Sequence, residues 1–230
     1  MKRQIRTPFF AVNIKSYLYG DEAVRLARIA DHIAGEKDID ILFTAQAADI
    51  RLIKEQTENV IVVAQHMDGI KVGRGMGAVL PEALKAAGGE GVVLNHAECP
   101  LTIAELDAAI ERARELELFT IVCADTPAQC RAVACFGPDA MICEPTSLIG
   151  SGNTSPDEYI AETTSAVRET DPSILIIQAA GVSTPEDVYR IIKEGSDGTG
   201  GTSGIVKAAD QEWLITQMVT QIKKAFAERS

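Results

Sequence analysis

The sequence lacks the features of a disulfide-bonded, metal-binding protein. It has only five cysteines and three histidines, and no two cysteines form a Cys-x-x-Cys pair. An odd number of cysteines without such spacing indicates reduced thiols and a cytoplasmic location. The histidines are too scattered along the chain to form a zinc-ligand cluster with the cysteines. We therefore expect a cytoplasmic protein that holds no metal.

Long hydrophobic runs and excess positive charge are also missing. No apolar run approaches the length of a transmembrane helix. The basic start, Met1–Gln4, is followed only by the short apolar stretch Pro8–Ile14, which contains Asn13, so we expect no secretory signal. The formal net charge of −11 argues against nucleic acid and anionic membranes as partners, because both require a basic face. A small anion could still bind locally.

What the sequence does contain is a repeated pattern. Its 230 residues are the length of one (β/α)₈ barrel, so we expect a single domain over residues 1–230. Short apolar runs alternate with amphipathic stretches from end to end, which is typical of βα units around a parallel sheet. The predicted strands are Phe9–Val12, Ile39–Thr44, Val60–Ala64, Gly91–Leu94, Thr120–Cys123, Ala140–Cys143, Ile174–Gln178 and, from a weaker signal, Asp197–Thr202.

The stretches between these runs predict helices. Leu26, Ile29, Ala30 and Ile33 lie at helical spacing and form one apolar stripe, and the pattern returns after the fourth strand and at the C-terminus. Three helical stretches begin near a proline that follows a hydroxyl residue, and we predict these hydroxyl residues as N-caps: Thr126, Ser155 and Thr184. The predicted fold is therefore an α/β protein of the (β/α)₈ barrel type, which places its chemistry at the C-terminal ends of the strands.

Polar residues follow the first and fourth predicted strands. Asn13 and Lys15 lie two residues apart after the first strand, so an extended chain would put an amide and an ammonium on the same side. His96 follows the fourth strand and precedes a predicted helix, whose N-terminus would keep the imidazole neutral. Taken singly, each could be an ordinary solvated strand end or loop residue.

The sixth strand ends at a carboxylate. Glu144 directly follows Met141–Cys143, so partial burial should raise its pKa towards the range of a general base. The next residues, 146–152, have small residues at both ends and the apolar pair Leu148 and Ile149 between them. This pattern predicts a hinged lid that closes over a ligand and excludes water. The alternative is a helix cap, a role that we assign to Ser155.

Glycine and hydroxyl residues follow the last two strands. Gly181–Ser183 and Ser203-Gly204 would present backbone N–H groups and hydroxyls to a phosphate, although either loop alone could simply be a turn. In a closed barrel these loops converge with Asn13, Lys15, His96, Glu144 and Gly150 at one end. That convergence favours a functional site over a series of ordinary turns.

Several motifs together resemble the triosephosphate isomerase family, in particular its short archaeal-type branch. The matching stretches cover nearly the whole chain: Ala11–Lys15, Ala64–His66, Val79–Ala83, Leu94–Glu98, Glu144-Pro145 with Leu148–Gly152, and Ser203–Ala208. The resemblance implies interconversion of dihydroxyacetone phosphate and glyceraldehyde 3-phosphate through an enediolate, with no cofactor. It also implies a small phosphorylated sugar as ligand and a homo-oligomer, either a dimer or a tetramer.

The resemblance also assigns roles to individual residues. It implies that Glu144 moves the proton, neutral His96 polarises the carbonyl and Lys15 stabilises the negative charge. Glu98 matches the carboxylate that pairs with this lysine. The remaining substrate-binding residues that it implies are Asn13, Gly150, Gly181, Ser183, Ser203 and Gly204.

Three stretches depart from the family pattern. These are Cys99-Pro100 after the histidine–glutamate motif, Thr146-Ser147 at the lid hinge, and the polar, glycine-rich eighth strand. We interpret the small residues of that strand as widening the mouth of the pocket. Two alternatives therefore stay open: an isomerase of a four-carbon ketose phosphate, and a barrel that binds a sugar phosphate without turning it over.

Overall fold

The computed structural model describes residues 2–229, which form one closed barrel of parallel strands in chain order. The predicted (β/α)₈ architecture is confirmed, and each predicted strand is found with its ends moved by at most a few residues. The strands are β1 (Phe9–Asn13), β2 (Asp40–Ala45), β3 (Ile61–Ala64), β4 (Gly91–Leu94), β5 (Phe119–Ala124), β6 (Ala140–Cys143), β7 (Leu175–Gln178) and β8 (Gly198–Gly201).

Helices follow every strand and cover the outside of the barrel. Two of them, α8 and α9, follow β8, and a 3₁₀ turn at Thr146–Leu148 precedes α6. Within residues 2–229, no helix is long and apolar enough to cross a membrane. The helices are α1 (Gly20–Lys37), α2 (Ile50–Lys54), α3 (Pro81–Ala86), α4 (Ile103–Glu115), α5 (Pro127–Ala134), α6 (Asp157–Thr170), α7 (Pro185–Lys193), α8 (Ser203–Val206) and α9 (Gln211–Arg229).

Two of the three predicted N-caps are confirmed. The Thr126 side chain accepts a hydrogen bond from the third residue of α5, and Thr184 forms a capping box with Asp187 at the start of α7. The prediction for Ser155 is wrong, because Pro156 occupies the N-cap position of α6 and the buried Ser155 hydroxyl has no hydrogen-bond partner among residues 2–229. The sequence predicted Pro156 as the first residue of the helix, and it lies one position before that residue.

Alternate strand residues belong to two separate hydrophobic layers. In β2, Leu42 packs with Phe9, Val63 and Ile177 inside the barrel, whereas its neighbour Phe43 packs between the strands and the helices. This alternation follows from the period of two in an extended strand. The inner layer fills the barrel below its C-terminal end, and the space for a ligand is at that end.

The glycines of β8 allow close packing and do not widen the barrel. A Cβ atom at Gly198 would lie 2.5 Å from the Phe9 ring, and one at Gly200 would overlap the backbone oxygen of Ala11. The space that a side chain would occupy at these positions is therefore already filled by β1. Our interpretation that small residues in β8 enlarge the mouth is wrong for both glycines.

Four acidic residues at the N-terminal end of the barrel, here named the lower-end carboxylates, stand at the starts of the even-numbered strands: Asp40, Glu90, Asp139 and Asp197. Each accepts a hydrogen bond from a backbone N–H, and each also contacts a basic side chain. The N–H groups of Thr120 and Ile176 approach Asp139 and Asp197 at 2.7 and 2.8 Å. These contacts hold the strand starts together.

Candidate active site

A cavity of about 250 Å³ opens at the C-terminal ends of the strands. The structure brings together every residue predicted for catalysis or substrate binding, and Glu98, predicted as the partner of Lys15, lines the adjoining cavity. The predicted residues that line the main cavity are Asn13, Lys15, His96, Glu144, Gly150, Gly181, Ser183, Ser203 and Gly204. Residues separated by most of the chain length therefore face one small space.

Glu144 lies directly after β6 and is nearly buried, with 12% of its side chain exposed. Its backbone N–H donates to the carbonyl oxygen of Ala124, which extends the pairing of β5 with β6 to the carboxylate. Burial raises the pKa of Glu144 from 4.5 to about 7, although the nearby charge of Lys15 acts in the opposite direction. The carboxylate can therefore take up and release a proton near neutral pH.

Two buried thiols lie close to this carboxylate. Burial raises the pKa of Cys123, and the hydrogen bond from Cys130 together with burial raises that of Cys143, so both thiols stay protonated. Neutral sulfur offers Glu144 no charge compensation. The surroundings that desolvate Glu144 are therefore formed in part by neutral residues of β5 and β6.

His96 lies beside Glu144 in the lining of the cavity, with 3.4 Å between His96 Nε2 and Glu144 Oε1. The backbone N–H of Glu98 donates to His96 Nδ1 at 3.1 Å. Because Nδ1 accepts that hydrogen bond, the proton of the neutral ring is on Nε2, which faces the cavity. Burial, followed by the charge of Lys15, lowers the pKa of His96. We expected the helix N-terminus to keep the ring neutral, and burial is the main cause instead.

Lys15 is held in a left-handed backbone conformation, with φ of 45°. The prediction of an extended segment is therefore wrong at this residue. Its N–H donates to Asn13 Oδ1 at 2.9 Å, and its carbonyl oxygen accepts from Gln65 Nε2 at 2.8 Å. Its ammonium lies 2.7 Å from a carboxylate oxygen of Glu98 and lowers the pKa of Glu98. Asn13 at the end of β1 and Gln65 after β3 thus fix the backbone of Lys15, and Glu98 after β4 holds its ammonium at the cavity.

The segment 146–152 covers one side of the cavity. It begins as the 3₁₀ turn, and Gly150 and Gly152 adopt φ angles of 75° and 78°. The residue directly after it packs tightly, since a Cβ atom at Gly181 would overlap the backbone oxygen of Asn153. By contrast, a Cβ atom at Gly150 or at Gly152 would meet no atom within 4 Å. The two glycines of the segment are therefore open, whereas the chain directly after them is anchored against the loop after β7.

The two loops predicted to bind phosphate meet each other beside the end of this segment. A Cβ atom at Gly204 would lie 2.9 Å from Ser183 Cα, so the loops after β7 and β8 are in direct contact. Ser203 and Gly204 open α8, where the first N–H groups of a helix have no partner within the helix. The N–H and the hydroxyl of Ser183 both donate to Asp187, at 3.1 and 3.5 Å, so the hydroxyl makes the longer bond and is the more available of the two for a phosphate.

Several residues of this site were not predicted from the sequence. Thr44 hydrogen-bonds to Asn13, Gln65 to Lys15, and the backbones of Gly200 and Gly201 line the cavity. Thr44 and Gln65 both lie at the C-terminal ends of strands, which is the signal that could have found them. Among residues 2–229, no group of three or more acidic, histidine or cysteine side chains could hold a metal ion.

A buried carboxylate that titrates near neutrality, facing a neutral imidazole at the mouth of a (β/α)₈ barrel, defines an acid–base enzyme of the barrel class. A family model described as triosephosphate isomerase matches residues 8–222. The chain belongs to the triosephosphate isomerase family.

Relatives named triosephosphate isomerase resemble the chain over almost its full length. The protein from Methanobacterium bryantii is 35% identical over 94% of this chain and 97% of its own. The proteins from Metallosphaera sedula and Sulfurisphaera tokodaii are 33% and 32% identical, over 98% and 96% of this chain and 100% and 98% of their own.

Proposed function

We propose that this protein interconverts dihydroxyacetone phosphate and glyceraldehyde 3-phosphate through an enediolate, without a cofactor. The observation that carries the proposal is the pair Glu144 and His96, 3.4 Å apart in one cavity, with the carboxyl pKa at about 7 and the imidazole neutral. A base of that pKa can remove a proton from carbon and return it to the adjacent carbon.

The other catalytic groups act on the oxygen atoms of the substrate. His96 donates its Nε2 proton to the carbonyl oxygen, and Lys15 stabilises the negative charge that develops there. Glu98 holds the ammonium of Lys15 from outside the cavity. The family is itself the standard example of a carboxylate base that works with a neutral histidine, so these roles follow from membership in it and not from spacing alone.

The substrate phosphate lies on the opposite side of the cavity. Gly181, Ser183, Ser203 and Gly204 donate backbone or hydroxyl hydrogens to it, and Gly150 approaches it when the segment 146–152 closes. Asn13 donates its amide hydrogens near the reacting carbons. Closure excludes water from the enediolate, which protects the intermediate from side reactions.

The two alternatives from the sequence are not favoured. The case for a four-carbon ketose phosphate depended on small residues that widen the mouth, and the space at Gly198 and Gly200 is filled. The case for a barrel without turnover has against it the Glu144 pKa of about 7 and the names of the relatives. The triose reaction therefore stands as the proposal.

Exchange of substrate hydrogen for deuterium tests the proton-transfer role. In heavy water the wild type should label the reacting carbon of dihydroxyacetone phosphate, and Glu144→Gln should lose this labelling. Glu90→Gln is the matched control, because it makes the same change in a partly buried carboxylate at the other end of the barrel. Unchanged labelling in Glu144→Gln would refute the assignment.

We also propose that the protein works in the cytoplasm as a homo-oligomer. Its cysteines are free thiols, and the sulfurs of Cys130 and Cys143 lie 3.6 Å apart, joined by a hydrogen bond and not by a disulfide. The loop 69–79 carries the exposed apolar side chains Val72 and Met76, which a second copy would cover. Light scattering should give the mass of a dimer or tetramer, and a monomer at micromolar concentration would refute the oligomer.

A further inference from the structure

The amide group of Asn13 is held by two hydrogen bonds to one atom. The N–H of Lys15 and the hydroxyl of Thr44 lie 2.9 and 2.7 Å from Asn13 Oδ1. Because a backbone N–H can only donate, the Asn13 atom beside Lys15 must be the oxygen and not the nitrogen. The orientation of the amide is therefore fixed by chemistry, with its NH₂ group directed away from both donors.

Thr44 lies in β2, the strand that pairs with β1 at Asn13. The two residues are paired in the register between β1 and β2, and the side chain of Thr44 is almost entirely buried at the wall of the cavity. Within residues 2–229, Asn13 Nδ2 has no acceptor, whereas Asn13 Oδ1 has two donors. The two N–H groups of the amide are thus left for a ligand in the cavity.

We propose that Thr44 is a positioning residue for the isomerase reaction, acting through Asn13 and not on the substrate. Its hydroxyl keeps the Asn13 oxygen turned towards the protein, so the NH₂ group donates to the substrate oxygens. Without that hydroxyl, Lys15 alone holds the amide, and the NH₂ group samples orientations that do not reach the substrate. This proposal rests on the function proposed above.

Two substitutions separate the hydroxyl from the shape of the side chain. Thr44→Val keeps the branched shape and removes the donor, and we expect kcat to fall about tenfold while KM changes by less than about twofold. Thr44→Ser keeps the donor and should restore kcat to within about threefold of the wild type. Equal losses in the valine and serine variants would overturn the proposal, because shape and not the hydrogen bond would then matter.

A second background tests whether Thr44 acts through Asn13. In Asn13→Ala no amide remains to be oriented, so adding Thr44→Val should lower kcat no further. Another tenfold loss in the double variant would show that Thr44 acts by a different route, and the proposal would fail.

Thr120→Val is the matched control for removal of a buried hydroxyl. Thr44 and Thr120 are both 3% exposed, and the Thr120 hydroxyl donates to Asp139 at the opposite end of the barrel, at 2.8 Å. We expect Thr120→Val to lower the unfolding temperature without changing kcat. A tenfold loss of kcat in this variant would mean that any buried hydroxyl has the same effect, which would overturn a positioning role.

A measurement without turnover separates this proposal from the proposed function. The side-chain amide of Asn13, assigned in the NMR spectrum by its absence from Asn13→Ala, should give one sharp pair of proton signals in the wild type. In Thr44→Val these signals should shift or broaden. If the wild type fails to isomerise triose phosphates, the proposed function falls, whereas unchanged Asn13 signals in Thr44→Val overturn the positioning role alone.

Discussion

The two ends of the barrel hold their carboxylates in opposite ways. At the N-terminal end, Asp197 accepts the N–H of Ile176 at 2.8 Å and contacts the guanidinium of Arg168. At the C-terminal end, Glu144 has only the neutral imidazole of His96 within 4 Å as a possible ion-pair partner among the described residues 2–229. The first carboxylate has hydrogen bonds in place of water, and the second has lost water without replacement.

This difference separates stability from function in one fold. A buried acid with donors on its oxygen atoms stabilises the folded state as a carboxylate. A buried acid without them is easier to protonate, which makes it a useful base near pH 7 but a poor contributor to stability. The same chemical group therefore has opposite effects on the free energy of unfolding at the two ends.

The largest expected effect is the dependence of activity on pH. Because Glu144 must be ionised to act as a base, kcat/KM should fall about tenfold for each pH unit below its pKa of about 7, and about a hundredfold by pH 5. The pKa of His96 is lowered, so the imidazole stays neutral at the pH values where Glu144 is ionised. Initial rates from pH 5 to 9 measure the profile, and Glu90→Gln should share it. A flat profile would contradict the contrast between the two ends.

Removing a lower-end carboxylate should destabilise the fold and leave catalysis intact. Asp197→Ala leaves the buried N–H of Ile176 without an acceptor and separates Arg168 from its partner. We expect the free energy of unfolding to fall by about 2–4 kcal/mol. Urea titration followed by circular dichroism measures this change, and kcat/KM of the folded variant should equal that of the wild type. A large loss of rate with unchanged stability would reverse the comparison.

The opposite sign is expected when Glu144, the base that we propose, is replaced. Folding raises the pKa of Glu144 from 4.5 to about 7, so the folded state binds more protons between these values and loses stability as pH rises through them. Glutamine has no proton to lose. At pH 8 Glu144→Gln should therefore be more stable than the wild type by about 1–3 kcal/mol.

This gain should disappear below about pH 4.5, where the wild-type carboxyl is protonated in both states. Urea titrations at pH 8 and pH 4 give the two differences. If Glu144→Gln is instead less stable than the wild type at pH 8, the ionised carboxylate must have stabilising contacts that offset its burial.

The smallest effect is expected at the rim of the site. Glu98 pairs with Lys15 at 2.7 Å, but 59% of the Glu98 side chain is exposed, and exposed ion pairs contribute little. Glu98→Gln should lower kcat/KM by no more than about fivefold. Steady-state kinetics at low and high salt measure the change, which should shrink at high salt. A loss comparable with that of Glu144→Gln would mean that Glu98 contacts the reacting atoms.

The positions of the site residues were predictable because strand ends of a parallel barrel converge. Apolar runs identified the strands, and the residues directly after them, such as Glu144 and His96, lie at the cavity. Partial burial of Glu144 also followed from the apolar residues before it. The direction of its pKa shift was therefore predictable from the sequence.

Other features depend on contacts between distant parts of the chain. The donors to Asn13 Oδ1 come partly from β2, and the left-handed conformation of Lys15 is held by Gln65 after β3. The absence of room beside Gly198 depends on the ring of Phe9. No local pattern reports such contacts, which is why the hydrogen bond of Thr44 was missed and the β8 glycines were misread.

The closure of the barrel between β8 and β1 couples residues near the two ends of the chain. Because Phe9 occupies the space beside Gly198, a larger residue at position 198 would be tolerated only with a smaller one at position 9. The two positions therefore form one unit of substitution, although nearly the whole chain separates them. Libraries that vary β8 to change the ligand would need to vary β1 at the same time, or most of their members would fail to close the barrel.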